Sequence, residues 1–392
     1  MFLKKCLKSN LIGSGAVAAI ALCVLFFAGW LSPVQSAEAA EKPSVSAQAA
    51  VVFCVDTGEV LFAKNEREHL AMASTTKIMT TLLTLEAAAK DNKSVTITEE
   101  MVLVEGSSMG LKPGDRLRLR ELAIGMLMVS GNDAANSAAI ALSGSTEQFA
   151  ALMNQRAAEL GMEDTSFVTP SGLDDEEHYS TALDMAKLGA AAICNQDFRE
   201  ICRQISMQAT WEKPEKTVSL PNHNRLLKLY DGCIGIKTGF TKKAGRCLVS
   251  AAERNGITLV AVTLHAPNDW EDHQKMLDYG FAQVSSYSLA KDAMEYTVPV
   301  VGGTVAEVQV KCTPEDSTII HKAGQQVTRT VELAPFVYGP VEQGEVLGTI
   351  TYQVDGETVL TLPLAAEEAV GVQEIHQNFW SRITGWFLAI FS

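Results

Sequence analysis

At 392 residues, with 47% hydrophobic side chains, the chain is long enough for two or three domains and can bury a sizeable core. A formal net charge of -14 and a pI near 5.0 argue against nucleic acid as a partner. Of eight cysteines, two precede residue 40, and no C-x-x-C spacing joins the other six. A zinc site is therefore not expected, and buried thiols acting as small hydrophobes are the favoured reading.

Lys4, Lys5 and Lys8 form a positive start, an apolar run follows from Leu11 to Leu31, and Pro33 breaks it. Ala37-Glu38-Ala39 has the small-x-small pattern of a signal peptidase site, so residues 1–39 read as a cleaved secretory signal. An uncleaved membrane anchor is the alternative, because the apolar run is long. From Val51, VVFCVD, a Thr57-Gly58 turn and EVLFAKN read as a hairpin. Helical spacing predicts helices over 74–92, 117–128, 134–142, 149–160 with Gly161 as C-cap, and 181–194. Strands are predicted at 232–238, 245–251 and 257–264, then a closing helix at 270–283. Cys233 and Cys247 would face each other across a hairpin in one register only. Strands at both ends with helices between predict an α+β fold, helices on an antiparallel sheet, over residues 40–290.

Alternating runs at 304–311, 327–333, 345–353 and 358–364, with Asp355-Gly356 as a tight turn, predict a small all-β domain over 291–370. Residues 371–392 return to helical spacing. Val372, Ile375, Phe379, Ile383, Trp386, Phe387 and Ile390 form one stripe, widened by Trp380 and Phe391. The stretch is too short and polar to span a bilayer, which needs about 20 apolar residues. It predicts an amphipathic helix at a membrane surface, with packing on the β-domain as the alternative.

Three short motifs carry chemistry. Ser74 and Lys77 lie three apart at the start of an apolar helix, hence on one face. A serine hydroxyl becomes a nucleophile when a nearby base takes its proton, and a lysine serves if burial or a second cation lowers its pKa. A helix N-terminus adds free N–H groups suited to an oxyanion. Taken alone, S-x-x-K reads more readily as a cap and a snorkelling lysine. Ser130-Gly131-Asn132 follows an apolar helix, and Lys237-Thr238-Gly239 ends a predicted strand, where Gly239 leaves room for a substrate backbone. All three in this order, in an exported chain, point to one site.

S-T-T-K, S-G-N and K-T-G are the motifs of penicillin-binding proteins and serine β-lactamases. The wider context MASTTKIMT, EGSSMGLKPGD, LRELAIGMLMVSGNDAA, FVTPSGLD, HYSTALDMAKLG, NHNRLL and GIKTGFT resembles the low-molecular-weight D-alanyl-D-alanine carboxypeptidases over roughly residues 45–280. The resemblance implies that Ser74 attacks the bond between two D-alanines of a peptidoglycan stem peptide and forms an acyl-enzyme, as it would with β-lactams. It implies Lys77 as base, Lys237 as the second cation lowering its pKa, and Ser130 as a bridge between the lysines that relays a proton. It implies that Asn132 holds Lys77 and a substrate amide, and that Lys237 and Thr238 receive the terminal carboxylate. The N–H groups of Ser74 and Phe240 would form the oxyanion hole. No metal or cofactor is implied. Two departures concern substrate fit: Thr169-Pro170-Ser171-Gly172-Leu173 stands where the family often has Asn-Pro-His-Gly-Leu, and Ile234 where it often has Asp.

Other chemistries fit less well. His69, His178, His223 and His265 lack a G-x-S-x-G partner for a Ser-His-Asp hydrolase, and His223 reads as structural. The acidic run Asp174 to Glu177 lacks the E-x-x-L-N context that a class A β-lactamase uses for deacylation. A D,D-endopeptidase acting on cross-links shares the same motifs, and a non-catalytic penicillin-binding scaffold would more cheaply have lost Ser74 or Lys77.

Overall fold

Pairing of the strand Ala49–Cys54 with both Val60–Lys64 and Ile257–Leu264 joins the start of the chain to a strand two hundred residues later. The computed structural model describes residues 41–314 and 318–374. The segments expected to be a signal and most of the amphipathic tail lie outside the described residues. The sheet is antiparallel, in the order Val60–Lys64, Ala49–Cys54, Ile257–Leu264, Gly245–Arg254, Cys233–Thr241. Successive side chains alternate faces. Ala49 and Val51 enter the core shared with the helices, while Ala50 and Val52 enter a second core beneath the closing helix Asp269–Gln283. Every residue of Ile257–Leu264 is buried, as a strand covered on both faces requires.

The helix Lys77–Lys90 runs through the middle of the helical side, and its first nine residues are all buried. This explains why its apolar residues do not form a single clean stripe: a helix surrounded by others has no solvent face. The helix Ala182–Cys194 lies against the sheet through Gly189, where a β-carbon would sit 2.9 Å from Val260 Cγ1 and 3.1 Å from Val249 Cγ1. The expected helices, hairpin and closing strands are all present, within a few residues of their predicted ends. A hairpin of Ser206–Trp211 and Lys216–Pro221 was not anticipated. Cys233 faces Ala252 and Cys247 faces Gly239, so the two cysteines do not meet, and all six described cysteines are free thiols.

Beyond the closing helix the chain builds a six-stranded sheet, in the order Val327–Leu333, Val346–Val354, Glu357–Ala366, Glu307–Lys311, Glu295–Val301, Val337–Tyr338. Its own core contains Val298, Val310, Ile350, Tyr352 and Leu364. The Asp355-Gly356 turn has positive φ at both residues (50° and 87°), as tight hairpins favour. The strand Val284–Ser288, unforeseen, pairs with Thr318–Lys322. Among the described residues no helix is long and apolar enough to cross a membrane.

Candidate active site

Ser74 sits in a 3-10 turn, Ala73–Thr76, that runs directly into the helix beginning at Lys77. Ala73 holds a positive φ of 48°, a conformation that side chains rarely adopt and that persists only where surroundings enforce it. Thr75 and Thr76 brace the turn through their hydroxyls, donating to Met72 O (2.6 Å) and Ala73 O (2.8 Å). His178 backs Thr76: its Nε2 lies 2.8 Å from Thr76 Oγ1, while its Nδ1 accepts from Val168 N at 2.9 Å. Burial pushes its pKa down to about 4, which keeps the ring neutral.

Lys77 is fully buried and its Nζ donates to Ser74 Oγ at 3.0 Å and to the carbonyl of Ser171 at 2.6 Å. The TPSGL segment thus reaches the lysine itself, where the sequence reading gave it a part only in substrate fit. Burial is the largest cause holding the Lys77 amine well below the usual lysine pKa. Repulsion from Lys237 comes second, and Asp133 opposes both. The second cation therefore contributes, but desolvation leads. Lys237 lies in the edge strand Cys233–Thr241, is also buried, and donates to Thr238 O at 2.8 Å. Burial pulls its pKa down to about 7.

Gly239 has a different task from the one its missing side chain suggested. A β-carbon there would lie 3.1 Å from Ser74 N and 3.0 Å from Thr75 N, so glycine lets the strand close against the serine turn. Ser130 holds a positive φ of 60° just before the helix Asn132–Ser143. Its hydroxyl bonds neither lysine among the described residues, and Asn132 does not bond Lys77. Asn132 Nδ2 donates instead to Glu105 O at 2.6 Å, and its Oδ1 is buried without a partner. An orphaned buried carbonyl is costly unless a ligand supplies a donor.

The open space above these groups is a cleft of about 310 Å³ lined by Ser74, Ser130, Thr238, Gly239 and Phe240, together with Ser107, His223, Arg246, Asp269 and Trp270. Lys77, Asn132 and Lys237 are buried and are not among its lining residues. His223, read from the sequence as structural, forms part of the cleft wall. Two further features escaped the sequence reading. Asp133 accepts from Ser108 Oγ (2.7 Å) and from the amides of Met109, Gly110 and Leu111 (2.8–3.0 Å), folding the 105–111 loop over the site. Arg246 spans the far wall, giving Nε and one terminal nitrogen to Asp269 Oδ1 (3.0 and 2.7 Å) and lying 5.6 Å from the Trp270 ring. Asp133 directly follows S-G-N and offered a signal; Arg246 and Trp270 are 24 residues apart and offered none.

The family model described as D-alanyl-D-alanine carboxypeptidase matches residues 36–268, and that described as penicillin-binding protein 5, C-terminal domain, matches 286–372. D-alanyl-D-alanine carboxypeptidase DacF of Bacillus subtilis is 34% identical, over 89% of this chain and 92% of its own. DacC of Escherichia coli is 32% identical, over 96% and 98%. Penicillin-binding protein 5 from Haemophilus influenzae superposes with a TM-score of 0.61 at 29% identity, covering 84% of this chain and 99% of that one. The Streptomyces K15 DD-transpeptidase gives a TM-score of 0.58 at 33% identity, covering 62% of this chain and 99% of its own. On a paired family match and relatives that align almost end to end, the chain belongs to the D-alanyl-D-alanine carboxypeptidases, the low-molecular-weight penicillin-binding proteins.

Proposed function

We propose that the chain hydrolyses the terminal D-Ala–D-Ala bond of peptidoglycan stem peptides with Ser74 as nucleophile and Lys77 as its base. The observation that carries this is the 3.0 Å bond from a buried lysine of lowered pKa to the serine hydroxyl. A neutral amine takes the proton as Ser74 Oγ adds to the carbonyl carbon. The oxyanion meets the N–H groups of Ser74 and Phe240, a reading supported by the close approach of Gly239 to Ser74 N. The C–N bond then breaks, and the departing D-alanine amine receives a proton through Ser130. Water releases the acyl group and restores Ser74. Asn132 offers its unpaired Oδ1 to a substrate amide N–H. Lys237, Thr238 and Arg246 receive the terminal carboxylate, a guanidinium already oriented by Asp269 being well suited to it.

Incubation with a β-lactam and mass spectrometry of the tryptic digest tests this reading. One stable adduct is expected, on the peptide holding Ser74. An adduct only on Ser130, or acylation surviving Ser74→Ala, would overturn it.

The same reading takes residues 1–39 as a cleaved signal, 40–290 as the catalytic domain, 291–370 as a β-rich support and 371–392 as an amphipathic helix. The enzyme then works outside the cytoplasmic membrane, tethered to its outer face by the tail. Deleting residues 372–392 is expected to release a soluble enzyme active on small peptides; retention in the membrane fraction would place the anchor elsewhere.

A further inference from the structure

Five of the twelve exposed large hydrophobic side chains among the described residues gather at one end of the β-domain: Val301, Val305, Phe336, Tyr338 and Val372, each between 47% and 70% exposed. Backbone pairing holds them together. Val301 is the strand partner of Tyr338, and the inward neighbours Val300 and Val337 pair beside them. Phe336 meets Tyr338 edge to face, ring centres 5.5 Å apart. The turn after Val301 is closed by the last described residues: Gly303 bridges Val372, Thr304 N donates to Gly371 O, and Gln373 N donates to Gly302 O (both 2.8 Å). Alternation along Val300–Val301 sends one side chain into the core and the next to solvent, so the patch is an outer face and not a frayed part of the core.

We infer that this face rests on the lipid bilayer, as a second membrane contact beside the C-terminal tail. The inference builds on the reading of that tail as a membrane tether. Residue 375, where the tail continues, is three residues past Val372, at most about 10–11 Å of extended chain. A tail lying in the membrane interface therefore brings the patch to the same plane. Phe and Tyr beside valines match the interfacial zone, where an aromatic ring meets both acyl chains and head groups. The segments 300–306, 334–346 and 370–374 contain no lysine or arginine but carry Glu342, Glu345 and Glu374. Attraction to anionic lipid is thus not the driving force, and neutral lipid is the better substrate for contact. Two separated contacts fix the orientation of the β-domain on the membrane, which one flexible tether alone does not.

The test uses the mature full-length chain and phosphatidylcholine vesicles. The double variant Phe336→Ser, Tyr338→Ser should bind vesicles about tenfold or more weakly than wild type, since two aromatic side chains leave the interface. Its hydrolysis of a small soluble D-Ala-D-Ala peptide should be unchanged, which reports an intact fold. A photoreactive benzophenone amino acid at position 338 should crosslink to lipid, whereas the same group at Leu103, 86% exposed on the catalytic domain, should not. Equal vesicle binding by wild type and double variant overturns the patch while leaving the tether standing. Wild type that fails to bind vesicles overturns both. Crosslinking at 338 to a second copy, or to the chain's own tail, also overturns the patch.

Discussion

Gly172 lies so close to Ala73 that a β-carbon on it would meet the Ala73 carbonyl oxygen at 2.0 Å. Gly172 also holds a φ of +80°, and its neighbour Ser171 offers the carbonyl that Lys77 binds. The turn bearing Ser74 and the loop seating Lys77 are thus one packed unit. Gly172→Ala is expected to cost more than about 2 kcal/mol of stability, from strain and backbone overlap together. Acylation by a β-lactam should fall with it. Chemical denaturation and stopped-flow acylation check the two effects, and a variant as stable as wild type would contradict this packing.

Lys237 should set a visible pH dependence. In the proposed reaction its charged form binds the substrate carboxylate, and burial lowers its pKa to about 7. In the free enzyme, kcat/KM should decline as pH rises through that region. Lys237→Arg keeps a charge that does not titrate there. Whatever activity that variant retains should lose the alkaline decline near neutrality. A pH profile identical to wild type would assign the limb to another group.

The same burial has a stability consequence. The folded pKa of Lys237 lies below its unfolded value, so the unfolded chain binds more protons between about 7 and 10.5. The wild-type protein therefore carries the full penalty below about pH 7, and the penalty fades as pH rises toward 10.5. Lys237→Met removes a buried charge with little change of shape. It should raise stability by about 1–3 kcal/mol at pH 6 and by less at pH 9, while abolishing peptide hydrolysis. Thermal melts at the two pH values decide it.

Asp133 organises the loop that holds Asn132. Four donors from residues 108–111 converge on its carboxylate, and Asn132 binds the same loop through Glu105 O and Ser107 O. Asp133→Ala strands several buried amides at once. A stability loss of about 3 kcal/mol or more is expected, with slower acylation even where the variant remains folded. Urea titration and acylation rates measure both.

Arg246 should discriminate by the end of the peptide. Arg246→Ala is expected to lower kcat/KM about 10- to 100-fold for peptides ending in a free carboxylate. A peptide with an amidated end, already a poor substrate, should be turned over alike by variant and wild type. Equal losses on both peptides would mean that Arg246 supports the fold and does not read the carboxylate.

Local pattern alone marks Ser74, Lys77, Ser130, Asn132 and the K-T-G triplet, because each motif is contiguous and its spacing already implies a shared face or turn. Strong strands such as Ile257–Leu264 and the Asp355-Gly356 hairpin are legible for the same reason: β-branched runs and turn residues are local signals. The hairpin Ser206–Trp211 with Lys216–Pro221 carries the same kind of signal, which went unread: Ser-Met-Gln-Ala-Thr-Trp alternates polar and apolar residues, and Met207, Ala209, Trp211, Val218 and Leu220 are its buried or half-buried side chains. Folding alone brings the Ser171 carbonyl to Lys77, Asp133 to the Ser108 hydroxyl and the 109–111 amides, and Arg246 with Trp270 to the cleft wall. These pairings join residues from 22 to 94 positions apart, through backbone atoms or surface side chains that no periodicity singles out. The depth of the two lysines is decided the same way. A sequence shows that an amine is present, but its pKa depends on how completely its surroundings exclude water.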